Sequence, residues 1–137
     1  MKFEVLGQPQ GKGRPKVTIQ GGFAHGYTPK KTANYETEIY YSYVAAKDRV
    51  FFKDTPVKMQ ITAFCQIPKA FSKKKHEEAV SGRLRPQTKP DIDNIVKVVC
   101  DALNGVAYHD DNQIAELISR KFYSDEPKLV IEITELD

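Results

Sequence analysis

A chain of 137 residues, 40% of them hydrophobic and 28% charged, has the size and composition of one ordinary globular domain. Folding at this length buries roughly two-thirds of the surface exposed by the unfolded chain, so neither disulfides nor a structural metal is required. No apolar run approaches the roughly 18 residues a membrane helix needs, which excludes a spanning protein. Cys65 and Cys100 stand singly in apolar surroundings, with no C-x-x-C and no signal segment at Met1-Lys2-Phe3, so a cytoplasmic protein with reduced thiols is expected.

The formal net charge of +3 conceals an asymmetry. Residues 1–90 carry 17 Lys and Arg against 7 Asp and Glu, a balance of +10, whereas residues 91–137 carry 4 against 11, a balance of −7. A basic body joined to an acidic segment suits a protein that holds a polyanion on one surface and gathers carboxylates at one site, although an acidic segment is also ordinary solvated surface.

In chain order, Lys2 to Leu6 alternates around Phe3 and Val5 and is stopped by Gly7-Gln8-Pro9, which predicts a short first strand. Gln8 to Lys16 has three cations and no apolar residue and is expected to be a mobile basic loop. A small hairpin from Val17 to Phe23 over Gly21-Gly22 follows, then basic residues again at Lys30-Lys31. Thr32 or Asn34 caps a helix to about Val50, with Tyr35, Ile39, Tyr43 and Ala46 as its core face. Val57 to Cys65 alternates with period two and predicts a half-buried strand ending at Pro68. Phe71 to Val80 reads as a short polar helix, and Gly82 to Pro90 as an extended basic stretch. From Asp91, the residues Ile92, Ile95, Val96, Val99, Cys100, Ala102 and Leu103 form one helical stripe that stops at Asn104-Gly105. Strands around Ile114 to Tyr123 and Leu129 to Leu136, joined by a turn at Ser124-Asp125-Glu126-Pro127, complete a single α+β domain, a mixed sheet with helices packed on it.

The chemistry concentrates in the acids. Asp91 and Asp93 are two residues apart at the start of the long helix, and Asp93, Lys97 and Asp101 recur at spacings of four on its polar face. Taken singly these are a helix cap and an ordinary surface pair. The second cluster, His109-Asp110-Asp111, follows a turn that sends the chain back along the helix, so Asp111 is expected to return to the helix N-terminus. Three carboxylates on one patch repel unless a cation lies among them, and magnesium, a hard ion that takes oxygen ligands, is the natural one. An EF-hand from Asp91 lacks its Gly at Val96 and its Glu at Ala102, zinc lacks paired ligands around His25, His76 and His109, and a loop before Asp91 does not suit an aspartyl-phosphate nucleophile.

Lys89-Pro90-Asp91-Ile92-Asp93-Asn94-Ile95-Val96-Lys97, Asp101-Ala102-Leu103-Asn104-Gly105 and Tyr108-His109-Asp110-Asp111-Asn112-Gln113 together resemble the RusA-like Holliday junction resolvases of bacteria and their phages. Gly11-Lys12-Gly13-Arg14-Pro15 and Tyr27-Thr28-Pro29-Lys30-Lys31 extend the likeness over nearly the whole chain, although this basic loop departs from the Asn-rich loop of the enteric member. The resemblance implies a homodimeric, Mg2+-dependent endonuclease that cuts DNA four-way junctions symmetrically, in recombination and repair, with catalytic residues Asp91, Asp93, Lys97 and Asp111 and the three aspartates as metal ligands. Asp110 is the neighbouring acid of that pattern. DNA contacts are expected from Lys12, Arg14, Lys16, Lys30, Lys31, Lys73, Lys74, Lys75, Arg83 and Arg85. The dimer interface is expected on the strand from Val57 to Ile67 or on the last two strands. A less selective flap or fork nuclease and a non-catalytic junction-binding module are the alternatives.

Overall fold

The computed structural model describes residues 1–13, 16–27 and 30–137, and for Lys16–Gln20, Phe23–His25 and Tyr27 the backbone alone. The chain runs β1 (Lys2–Leu6), β2 (Lys16–Gln20), β3 (Phe23–Tyr27), α1 (Lys30–Ala45), β4 (Val57–Gln66), α2 (Lys73–Val80), α3 (Ile92–Leu103), a 3-10 turn (Asp111–Gln113), β5 (Ile114–Ser124) and β6 (Lys128–Glu135). One four-stranded sheet has the order β1-β6-β4-β5, and β2 and β3 form a separate antiparallel hairpin over Gly21 and Gly22. The fold is α+β with a mixed sheet, since β4 pairs parallel with β5 and antiparallel with β6.

Strand β4 holds the core together because alternate residues along it are fully enclosed: Val57, Met59, Ile61, Ala63 and Cys65. Leu129, Ile131 and Ile133 of β6 and Phe3 and Val5 of β1 add to the same face. Helices α1 and α3 cover that face with Tyr35, Ile39 and Tyr43 from one and Ile95, Val98, Val99 and Leu103 from the other. The rings of Phe3 and Tyr43 meet edge to face with centroids 5.8 Å apart.

Four expectations change. The last two strands do not pair with each other: β4 lies between them and takes ladder hydrogen bonds from both, because the strand most apolar on its inner face occupies the centre of the sheet. Strands β4 and β6 are therefore each paired on both sides, and of the strands proposed for a dimer contact it is β5 that forms a sheet edge. Helix α1 starts at Lys30 and stops at Ala45, short of Val50, where the Tyr43 hydroxyl donates to the Val50 carbonyl at 2.7 Å and turns the chain back. In α3 the buried stripe is Ile95, Val98, Val99 and Leu103; Ile92 is exposed and lines a cleft with residues 85–88 and 119–121. Finally, residues 8–13 are latched rather than mobile, as described below.

Among the described residues no helix is long and apolar enough to cross a membrane. Ile131, fully buried and paired with both β1 and β4, is a sensitive probe of this core. Ile131→Ala is expected to lower unfolding free energy by about 2–5 kcal/mol in urea titration, with little change in slope.

Candidate functional site

Helix α3 presents its chemistry because its other side is buried. With Ile95, Val98, Val99 and Leu103 turned into the core, the residues at 93, 97 and 101 fall on the outward face, three turns in line. Asp91 occupies the N-cap position, yet its carboxylate accepts no capping hydrogen bond among the described residues. Asp91 and Asp93 are exposed, and both line a cleft of about 500 Å³ whose other wall is the loop from Arg85 to Thr88 and Ser119, Arg120 and Lys121 of β5. Lys121 fixes that wall by donating to the Thr88 carbonyl at 2.6 Å, and the Lys89–Pro90 peptide is cis.

A second hollow, about 890 Å³, opens on the other side of Asp91 beneath residues 8–13. This segment is strapped across both helices. The Lys12 amide donates to the Asn94 carbonyl at 2.8 Å, the Gly13 amide donates to Thr32 Oγ1 at 2.9 Å, and the backbone amide of Gln66 donates to Gln8 Oε1 at 2.7 Å. Gly11 lies so close to α3 that a Cβ there would stand 2.8 Å from Asn94 Cβ, which no side chain tolerates. Lys12 Nζ closes the strap with Glu36 at 2.7 Å and Asp101 at 3.1 Å. Burial works against its charge, but the two carboxylates more than offset this, so its pKa is raised.

The Asp111 segment is built by its own capping box. Asp110 accepts from the Asn112 amide at 2.9 Å, and Gln113 Oε1 accepts from the amides of His109 and Asp110 at 2.8 and 3.2 Å. The Asp111 amide donates to Asn104 Oδ1 at 2.9 Å, which ties the turn to the C-terminal end of α3. Asp111 therefore does not return to the helix N-terminus. A 12-residue helix is about 18 Å long and a strand advances about 3.3 Å per residue, so it is Ser119 to Lys121 that draws level with Asp91 and Asp93.

Asp111 is exposed, yet its pKa is raised, first by partial desolvation and then by the Asp110 carboxyl beside it and the charge of Asp101; Lys97 opposes the shift. The half-buried thiol of Cys100 behind these acids is pushed up to about 11, by burial first and then by Asp111 and Asp101. Lys97, one turn beyond Asp93, is within electrostatic reach of Asp111.

Among the described residues, no three His, Cys, Asp or Glu side chains are gathered closely enough to hold a metal ion as a cage. The donor set still fits magnesium, which keeps several waters and needs only one or two carboxylates plus substrate phosphates. Asp91 and Asp93 on one cleft wall, with an uncapped carboxylate, supply that number.

The expected DNA-contacting cations divide. Lys30, Lys31, Lys73, Lys74, Lys75 and Arg83 are exposed, Lys31 on the rim of the hollow beside Asp91. Lys75 also lies 4.4 Å from the Phe71 ring. Arg85 stacks at 3.8 Å on Phe122 and donates through Nε to the Lys121 carbonyl, so it anchors the cleft loop. Lys12 is committed to its ion pairs. Arg14 and the Lys16 side chain lie outside the described residues. Glu36, Asn104 and Gln113 are roles that sequence reading did not find; each acts on a partner distant in sequence or through the backbone, and only the Gly11-Lys12-Gly13 spacing hinted at the strap.

Helix α3 thus bears acids at both ends, backed by the sheet and beside exposed lysines and an open cleft. A family profile described as Endodeoxyribonuclease RusA matches residues 7–134, and the chain is 42% identical over 139 residues to "Uncharacterized protein YqaN" of Bacillus subtilis (strain 168), covering 99% of this chain and 96% of that protein. The chain belongs to the RusA endodeoxyribonuclease family, nucleases that act on DNA.

A carboxyl whose pKa is raised in the folded state binds its proton more tightly there than in the unfolded chain. The stability this contributes is complete below the ordinary value of 3.8 and is lost as pH rises through the raised value. Compared with Asp111→Asn in buffer free of divalent cations, the wild-type protein is expected to lose thermal midpoint as pH rises from about 3 to 7, and the variant to lack that component.

Proposed function

We propose that this protein is a magnesium-dependent endonuclease that resolves Holliday junctions in DNA recombination and repair, cutting two opposed strands as a homodimer. Family membership supports DNA cleavage and junction resolution. The observation that carries the site is the outward face of α3, where Asp91 and Asp93 flank a cleft and Lys97 lies between them and Asp111.

Asp91 and Asp93 would hold magnesium in the cleft; Asp111, the third expected ligand, stands toward the other end of α3 and would serve a separate, second ion there. When bound, the ion lowers the pKa of a water and neutralises charge developing on the phosphate. Lys97 places a fixed cation one turn from Asp93, where it stabilises negative charge on the phosphate or orients the attacking water. Asp110 holds the turn that presents Asp111. The exposed lysines of α1 and α2 supply sequence-independent contacts to the backbone of the arms. Paired cuts in a twofold-symmetric junction require two such sites related by a twofold axis, which is the reason for a dimer.

The test uses a labelled synthetic four-way junction beside a duplex, a flap and a fork of the same sequence, each with magnesium and with EDTA. Paired symmetric cuts in the junction alone, abolished by EDTA, are expected; cutting of every branched substrate indicates the less selective nuclease instead. Asp91→Asn is expected to reduce cleavage by at least about a hundredfold while binding is kept or tightened, since a negative charge near phosphate is removed. Cleavage at the wild-type rate by this variant would contradict the assignment.

A further inference from the structure

Beside Asp111 the surface carries an aromatic pair that the cleavage chemistry does not use. Phe51 is 44% exposed, and the His109 side chain is 55% exposed. Their rings meet edge to face with centroids 5.0 Å apart and planes at 86°. An edge-to-face contact cannot cover both faces of both rings, so flat apolar surface remains in water.

A single exposed phenylalanine is unremarkable. What distinguishes this one is how firmly its loop is joined to the Asp111 turn. The Phe52 amide donates to the Ala107 carbonyl at 2.8 Å. Gln113, whose Oε1 caps the turn at His109, uses Nε2 to reach the carbonyls of Phe52 and Thr55 at 2.9 and 3.0 Å. One glutamine side chain thus staples both loops. Phe52 and Tyr108 are themselves buried and bridged, so the pair above them rests on core. His109 Nε2 lies 4.0 Å from Asp54 Oδ1.

We propose that Phe51 and His109 form a rigid platform on which a nucleobase of the bound DNA stacks, next to Asp111. The platform rests on the nuclease reading above, which brings DNA to this face. A base face is the matching chemistry: it is flat, apolar and available where a branched substrate exposes unpaired or partly unstacked bases. Stacking needs no hydrogen-bond readout, so the platform favours branch-point geometry over any particular base. Because His109 is two residues before Asp111 in the same capped turn, the stacked base sets where the strand is presented to that acid.

The experiment uses a four-way junction carrying 2-aminopurine at the branch point, bound in EDTA and checked by gel to be uncut, with Phe51→Ala, Phe51→Leu, Phe51→Trp and His109→Ala. Wild-type protein is expected to change the 2-aminopurine fluorescence on binding. Phe51→Ala and Phe51→Leu are expected to lose that change and to bind about tenfold more weakly, while Phe51→Trp restores both, and His109→Ala falls between. Thermal unfolding confirms that the Phe51 variants are folded, as the exposure of the ring implies. Wild-type fluorescence change and affinity in Phe51→Leu would overturn the platform while leaving the nuclease reading intact. Failure of the wild-type protein to bind the junction would overturn both.

Discussion

Burial of the stripe Ile95, Val98, Val99 and Leu103 against the inner face of the sheet is the contact on which the site depends. A helix has one orientation about its axis that hides this stripe, and that orientation fixes Asp93, Lys97 and Asp101 outward. Strand β4 makes the burial worthwhile, with alternate residues enclosed along its length and neighbours on both edges. A site on a packed helix is held more rigidly than one on a loop, and the loops that do contribute are tied to it: the Asp111 turn through Asn104, and the cleft wall through Lys121 and Arg85.

The segment before the hairpin shows how the same helix organises the basic half of the molecule. Lys12 reaches between Glu36 of α1 and Asp101 of α3, and Gly11 lets the backbone lie against Asn94. The Lys12 side chain is only 15% exposed, so its three-charge cluster is screened less than a surface ion pair. It neutralises an acid of the polar stripe close to Asp111 and holds the segment of residues 8–13 against α3. A cation that composition would assign to DNA is in this way part of the frame, and Arg85, stacked on Phe122, is another.

Periodicity made β1, β4 and α3 legible, because each has apolar residues repeating at the interval of its own geometry. The acids were legible as a pattern for the same reason, since spacings of two and four residues have direct meaning at a helix start and along its face. Strand order was not, because β4 pairs with two strands far along the chain and no local signal records that β5 and β6 are kept apart. The position of Asp111 was also missed: it depends on where the 3-10 turn docks, which one hydrogen bond to Asn104 decides. The buried stripe takes in Val98 and leaves out Ile92, which faces the open cleft beside β5, a placement that hydropathy does not record.

Whether Asp91 and Asp93 hold a divalent cation in the cleft, one turn from Lys97, is tested most directly by paramagnetic broadening with Mn2+ in the folded protein. Amide signals of residues 91–94 are predicted to broaden first as Mn2+ is added, with Asp91→Asn weakening the effect there. Broadening that begins at another segment, or is spread evenly over the surface acids, would contradict the account.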